Sequence, residues 1–525
     1  MTEGTQDKPA LQRGVDRRTA LTFAGGVAVT TAVAGAVWMG TASSQSRASE
    51  IVMMNAVELS AAIKSKQVSC VEVMTAYLDH IGRINPKVNA IVSLQDRAGL
   101  IAQARERDAQ LARGEYLGWM HGFPQAIKDL VPAKGIRNTQ GSPIFKDFIA
   151  NTDAIHVERV KAAGAIIIGK TNVPEFGLGS HTYNPVFGTT LNAYDQTKTA
   201  GGSSGGAAVS LAMRMLPVAD GTDHGGSLRN PGAFNNVFGF RPSFGRVAAE
   251  GADVFDASLS VNGPMARNVS DLAMLLSVQA GFDPRAPLSN RQDPGQFAQP
   301  LQRDFKGTRI AWLGDLGGYL PYDAGLLDLC KSAFNVFEML GCMIEEAKPD
   351  FDNARVWTNW TKLRAWQSGS SLIPYYSDPA KRALLKPEAQ FEAETWLKLT
   401  QTELLEAMQV RTAWYQAVRR FMETYEYMII PSAQVFPWDA KIPWPKEIAG
   451  RTMDSYYKWM DAQVQITMSG LPALNVPVGF NRDGLPMGMQ IVGRHQAEFS
   501  CLQLAYAYDI ATGWVEKRKP ALLNA

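Results

Sequence analysis

Apolar residues recur along the chain in three successive textures. Up to about residue 120 they keep helical spacing, with Met74, Tyr77, Leu78 and Ile81 on one face of a 3.6-residue repeat. Asn55 with Glu58, and Ser69 with Glu72, stand at capping-box spacing ahead of such runs, so the folded chain is expected to open with helices. Beyond residue 120 short apolar runs alternate with helical patterns. Residues 165–168, which follow a helix ended by Gly164, read as a buried strand, as do 309–313, 427–430 and 487–492. That alternation predicts an α/β fold in one large domain, with a mixed, mostly parallel central β-sheet flanked by helices on both faces.

The third texture lies between residues 177 and 251, where Gly, Ser, Asn and Thr leave little room for long regular elements. A flexible linker would have this composition too. Leu211, Met213 and Met215 place an apolar helix inside it, however, and dense glycine allows close backbone approach, so a shaped cavity wall is the better expectation.

Residues 1–47 follow none of these patterns. Lys8, Arg13, Arg17 and Arg18 precede an uncharged run rich in Ala, Gly, Val and Thr over residues 19–45, and the Arg17-Arg18 pair before it is the twin-arginine pattern. Residues 1–47 are therefore expected to be a twin-arginine-type export signal and 48–525 the folded domain, which makes the protein periplasmic or secreted. An uncleaved membrane anchor is the alternative, disfavoured because the run is only weakly hydrophobic. Removing the five Lys/Arg and three Asp/Glu of this segment from the 52 and 50 of the whole chain leaves 47 of each sign. A balanced domain without basic tracts gives no electrostatic reason to expect nucleic acid.

Composition adds that 46% apolar and 19% charged residues suit a globular enzyme. Cys70, Cys330, Cys342 and Cys501 form no CxxC pair, and the six histidines no HExxH, so neither a disulfide scaffold nor a metal site is expected.

Two motif matches mislead. Gly164 to Thr171 spells the phosphate-loop pattern GxxxxGKT, but a phosphate loop follows its strand, whereas here the intervening residues are the strand. Gly201 to Gly205 and Gly202 to Gly206 both spell GxSxG, the nucleophile elbow of α/β-hydrolase esterases, which would make Ser203 or Ser204 the nucleophile and leave only His224 or His495 as a later base. Lys128 would then have no part in the chemistry.

Three separated segments outweigh these matches: His121-Gly122-Phe123-Pro124-Gln125-Ala126-Ile127-Lys128-Asp129, Gly201-Gly202-Ser203-Ser204-Gly205-Gly206, and Gly221-Thr222-Asp223-His224-Gly225-Gly226-Ser227-Leu228-Arg229. In this order and spacing they resemble the amidase signature family. Residues 160–176, 188–192, 263–267 and 484–493 look like further family segments, so that the resemblance covers about 51–515.

The resemblance implies a hydrolase of carboxylic amides, working through an acyl-enzyme without metal or cofactor. Ser227 would attack, Ser203 would bridge, and Lys128 would be the base. It further implies a cis peptide between Gly202 and Ser203, an oxyanion hole from the backbone of His224, Gly225, Gly226 and Ser227, and supporting roles for Gly202, Ser204, Asp223 and Arg229. A base role asks for a neutral lysine, and bringing a pKa of about 10.4 to near 7 disfavours the charged form by about 4 to 5 kcal/mol, which requires burial. His224 could instead form a Ser-His pair through its side chain.

Eight of the twelve tryptophans lie between residues 357 and 459, a segment that in the family helps line the acyl pocket, which suggests an aryl or apolar acyl group if they are not core. Esters or carbamates would fit the same chemistry. A small-molecule amide is the expected partner, with no nucleic acid and no stable membrane association once the leader is gone; a homodimer is left open. Rivals are a transamidosome-type amidase subunit, which the leader argues against, and a catalytically dead binding protein, which the filled triad argues against.

Overall fold

The structure, a computed structural model of the chain, describes residues 44–251, 253–256 and 259–524. Most of the expected export leader therefore lies outside the described residues, and the boundary at 47 falls within a helix, Ser44–Met53. Residues 44–525 form one compact unit.

Both capping boxes form. Asn55 heads the helix Ala56–Lys64, and Ser69 heads α1 (Cys70–Val88), each accepting from the backbone N–H of a glutamate that reciprocates. Met74, Tyr77, Leu78 and Ile81 of α1 are all buried, as the helical period requires.

A small sheet follows, made of β1 (Ile91–Val92), β2 (Pro124–Lys128) and β3 (Ile166–Thr171), with β3 central, parallel to β2 and antiparallel to β1. Lys170 and Thr171 of the false phosphate loop are the last two residues of β3, so they open no helix.

The large sheet has eight strands: β4 (Ala219–Asp223), β5 (Phe238–Arg241), β6 (Val261–Ala266), β7 (Arg309–Trp312), β8 (Met343–Glu346), β9 (Tyr427–Pro431), β10 (Ala473–Phe480) and β11 (Pro486–Val492). Their order is β8-β7-β9-β11-β10-β5-β6-β4. All four strands expected from the apolar runs are present, within three residues at either end. The sheet is mixed as expected, but not mostly parallel: only β8/β7 and β7/β9 pair in parallel, and the other five pairings are antiparallel. The connection of β10 to β11 shows why, since residues 481–485 are far too short for the crossover that a parallel pair needs.

Strands β9 and β11 are buried at every position, which means both sheet faces are covered, whereas edge strand β8 is partly exposed and carries Glu345 and Glu346. Helix α2 (Gly205–Ala212) packs against β4 and β6 and α3 (Arg229–Phe234) against β5, β10 and β11, while α4 (Asn353–Arg364), α5 (Gln401–Phe421) and α6 (Asp461–Ser469) pack on one another. All four cysteines are buried and free, as small apolar residues would be. The glycine-rich stretch is no linker. Every residue from 199 to 241 is buried except Thr222 and His224, and both of these face a cavity.

Candidate active site

Lys128 ends β2 with no exposed surface. Its backbone N–H donates to the Asp220 carboxylate at 3.2 and 3.3 Å, tying the small sheet to edge strand β4 of the large one. Its Nζ donates to Ser203 Oγ, Ser204 Oγ and Thr222 Oγ1, each at 2.8 Å, and to the Thr222 carbonyl at 3.2 Å. Burial lowers the ammonium from its ordinary 10.5 to about 7, against the opposing pull of Asp220 and Asp223.

Alternation along β4 explains these partners. Asp220 and Thr222 share the face that meets Lys128, while Asp223 points the other way. Gly221 between them leaves room for Ser204, because a Cβ there would come within 2.8 Å of Ser204 Oγ. The motif segments alone single out neither Asp220 nor Thr222; the period-two pattern of a strand ending at Asp223 is the signal that could have found them.

The Gly202–Ser203 peptide is cis. The Gly202 N–H donates to Asn230 Oδ1 at 3.0 Å, and Asn230 Nδ2 donates to the Gly226 carbonyl at 3.0 Å, so one buried side chain holds the two serine loops together. Ser204 N–H donates to the Ser227 carbonyl at 3.3 Å. Ser203 and Ser227, 2% and 5% exposed, line one cavity of about 90 Å³ with Thr222, His224 and Gly225. The structure thus joins Lys128 directly to Ser203 and sets Ser227 in the same cavity, without a hydrogen bond between the two serine hydroxyls.

Asp223 organises the turn that carries Ser227. Its carboxylate accepts from the N–H groups of Gly226 and Leu228 at 3.0 Å each, from Arg229 at 3.0 and 2.8 Å, and from Arg241 at 3.2 Å. Burial alone would raise its pKa, but the two guanidiniums hold it well below the usual carboxylate range. Arg229 also reaches the Gln463 carbonyl, Gln490 Oε1 and Thr467 Oγ1, linking the turn to α6 and β11. Both residues therefore brace the loop. The expected oxyanion set needs one correction: the Gly226 N–H is turned inward to Asp223, with φ at +114°, so only the amides of His224, Gly225 and Ser227 remain unpaired among the described residues of this turn.

The side chain of His224 pairs with Ser260 and with none of the signature serines. Its Nδ1 lies 3.0 Å from Ser260 Oγ and its ring sits edge-on to Trp360. Burial, and after it Arg364 and Arg241, push its pKa well below the ordinary imidazole value. The nucleophile-elbow alternative also fails. Among the described residues no strand leads into Gly201, and His495 lies in a separate, larger cavity of about 500 Å³ with Tyr415, Arg419 and Arg494. That cavity holds no serine of the signature, whereas Ser203 and Ser227 both line the smaller one.

None of the eight clustered tryptophans lines the cavity of Ser203 and Ser227. Trp360, Trp414 and Trp459 are core, and the cavity walls from this segment are Arg364 and Ser368, with Met460 just beyond it. The tryptophans therefore carry no argument for an aromatic acyl pocket.

A family model for amidases matches residues 72–502. The chain belongs to the amidase signature family. An acylamidase of Rhodococcus erythropolis is 32% identical over 473 residues, covering 89% of this chain and 97% of that protein. A glutamyl-tRNA(Gln) amidotransferase subunit of Thermosynechococcus vestitus is 32% identical over 487 residues, covering 88% and 98%. Among solved structures, a bacterial aryl acylamidase of the amidase signature family superposes with a TM-score of 0.83 at 28% identity, covering 88% of this chain and 97% of that one. This family member is thus an amide hydrolase by class, built on the α/β architecture described above.

Proposed function

We propose that the protein hydrolyses a compact carboxylic amide through an acyl-enzyme on Ser227, with Ser203 as bridge and Lys128 as base. The observation that carries this reading is a fully buried lysine, lowered to about 7, in hydrogen-bond contact with Ser203. A neutral amine has one lone pair and two N–H bonds, so among its three hydroxyl neighbours one can donate to it while the others accept.

Rotation of the Ser227 hydroxyl toward Ser203 closes the relay when substrate is bound, a tightening common in active sites that are loose when empty. Ser227 Oγ then bonds to the acyl carbon as its proton passes to Ser203 and the Ser203 proton to Lys128. The amides of His224, Gly225 and Ser227 are the donors available to the developing oxyanion. As the C–N bond breaks, the proton returns through Ser203 to the departing amine. Water repeats the path on the acyl-enzyme and releases the acid. Esters and carbamates fit the same sequence of steps.

Lys128→Ala is expected to abolish amide hydrolysis while His495→Ala leaves it intact; the reverse result would overturn the reading. A second reading, an amidotransferase component that works only in an assembly, has the likeness to the Thermosynechococcus vestitus protein in its favour. Turnover of simple amides by the isolated chain would exclude it. We also propose export through the twin-arginine pattern at Arg17-Arg18.

A further inference from the structure

The lining of the catalytic cavity is of two kinds. Leu130, Phe176, Leu178 and Met460 are apolar, whereas Arg364, Ser368, Ser260 and His224 supply polar groups. Arg364, the last residue of α4, is 5% exposed. Its Nε donates to Glu392 Oε1 at 2.5 Å and its Nη2 to the Tyr456 hydroxyl at 2.9 Å. Tyr456 in turn donates to the same Glu392 oxygen. The rings of Trp360, Tyr456 and Tyr457 lie against the guanidinium, with centroids 5.3, 5.9 and 5.6 Å away.

This scaffold fixes the guanidinium plane but leaves part of it unused. Of its five N–H groups only two have acceptors among the described residues, and neither belongs to Nη1. Immediately after Arg364 the chain makes a single π turn, Ala365–Gly369, and that turn brings Ser368 into the lining of the same cavity. Such turns are rare and are found frequently at functional sites. A buried, rigidly held donor with no protein acceptor, opening on a reacting centre, is suited to reading an oxygen of the substrate.

The charge of that oxygen follows from the surroundings. Glu392, itself 1% exposed, already balances Arg364. A second carboxylate in so desolvated a cavity would favour the ammonium form of Lys128 and remove the base. The acyl half stays bonded to the enzyme while the amine departs, so the acyl half is the part that a compact pocket must hold.

We propose that Arg364 is a specificity-determining residue that selects acyl groups bearing a second, neutral oxygen acceptor, such as another amide carbonyl. The proposal rests on acyl transfer at this cavity and adds the class of acyl group. Its test compares kcat/KM, followed by ammonia release, for butanediamide, butanamide and 4-amino-4-oxobutanoate on the full-length enzyme and on Arg364→Lys and Arg364→Gln.

Counted per scissile amide, of which the diamide has two, the wild type should prefer the diamide over butanamide by about tenfold, the scale of one well-placed hydrogen bond, and the ratio should fall to about one in both variants. Arg364→Lys keeps a cation beside Glu392 and so guards against loss of the fold. A wild-type ratio near one overturns the proposal without any variant. So does a ratio unchanged in the variants, or a faster reaction with the carboxylate than with the diamide. If butanamide is hydrolysed and a fluorophosphonate labels Ser227 without any preference for the diamide, only this inference fails. Absence of both hydrolysis and labelling overturns the acyl-transfer reading as well.

Discussion

A lysine held between three hydroxyls and shut away from water changes protonation state near neutral pH. The cation cannot accept a proton, so the competent form is lost as pH falls through about 7 and is complete above it. The pH profile of kcat/KM for an uncharged amide should accordingly rise through an apparent pKa near 7 to a plateau; a rate that is flat from pH 5 to 8 would contradict a lysine base. Ser204 shares Nζ with Ser203 but lies outside the proposed relay, so Ser204→Ala should lower kcat by about tenfold against about a thousandfold or more for Ser203→Ala, by single-turnover kinetics. At this scale the motif segments made Lys128, Ser203, Ser227, Asp223 and Arg229 legible. Asp220, Thr222 and Asn230 were not, because their roles depend on which face of β4 or α3 meets another segment, and the inward turn of Gly226 depends on a carboxylate three residues away.

Between elements, Arg229 is the main tie, since its guanidinium joins the Ser227 turn to α6 and β11 while fully buried. Truncating it leaves Asp223 with less compensation in the interior. Arg229→Ala should therefore cost about 3 to 5 kcal/mol of stability, read from a urea midpoint, and Arg229→Lys should not restore it, because one ammonium cannot match a five-donor fork. Capping boxes and buried strands were readable because they are local: Asn55, Ser69 and the run 427–430 carry their signals within a few residues. Strand direction was not. β5, β6 and β4 pair antiparallel through long connections that the alternation of apolar runs cannot orient.

On the scale of the whole molecule, a charge-balanced folded unit follows an N-terminal segment of different composition. If Arg17-Arg18 directs export, replacing both by lysine should hold the protein in the cytoplasm in a fractionation experiment, and unchanged export would reject the twin-arginine proposal. The clustered tryptophans, expected either to line the acyl pocket or to sit in the core, pack chiefly into the core, and the residues of their stretch that reach the cavity are Arg364 and Ser368. Crowding in sequence does not say which side of a helix faces a site. The proposed chemistry depends on which serine carries the acyl group. Peptide mapping by mass spectrometry after treatment with a fluorophosphonate should find one adduct, on Ser227, lost in Ser227→Ala and slowed strongly in Lys128→Ala; an adduct on Ser203 or Ser204 in its place would contradict the mechanism.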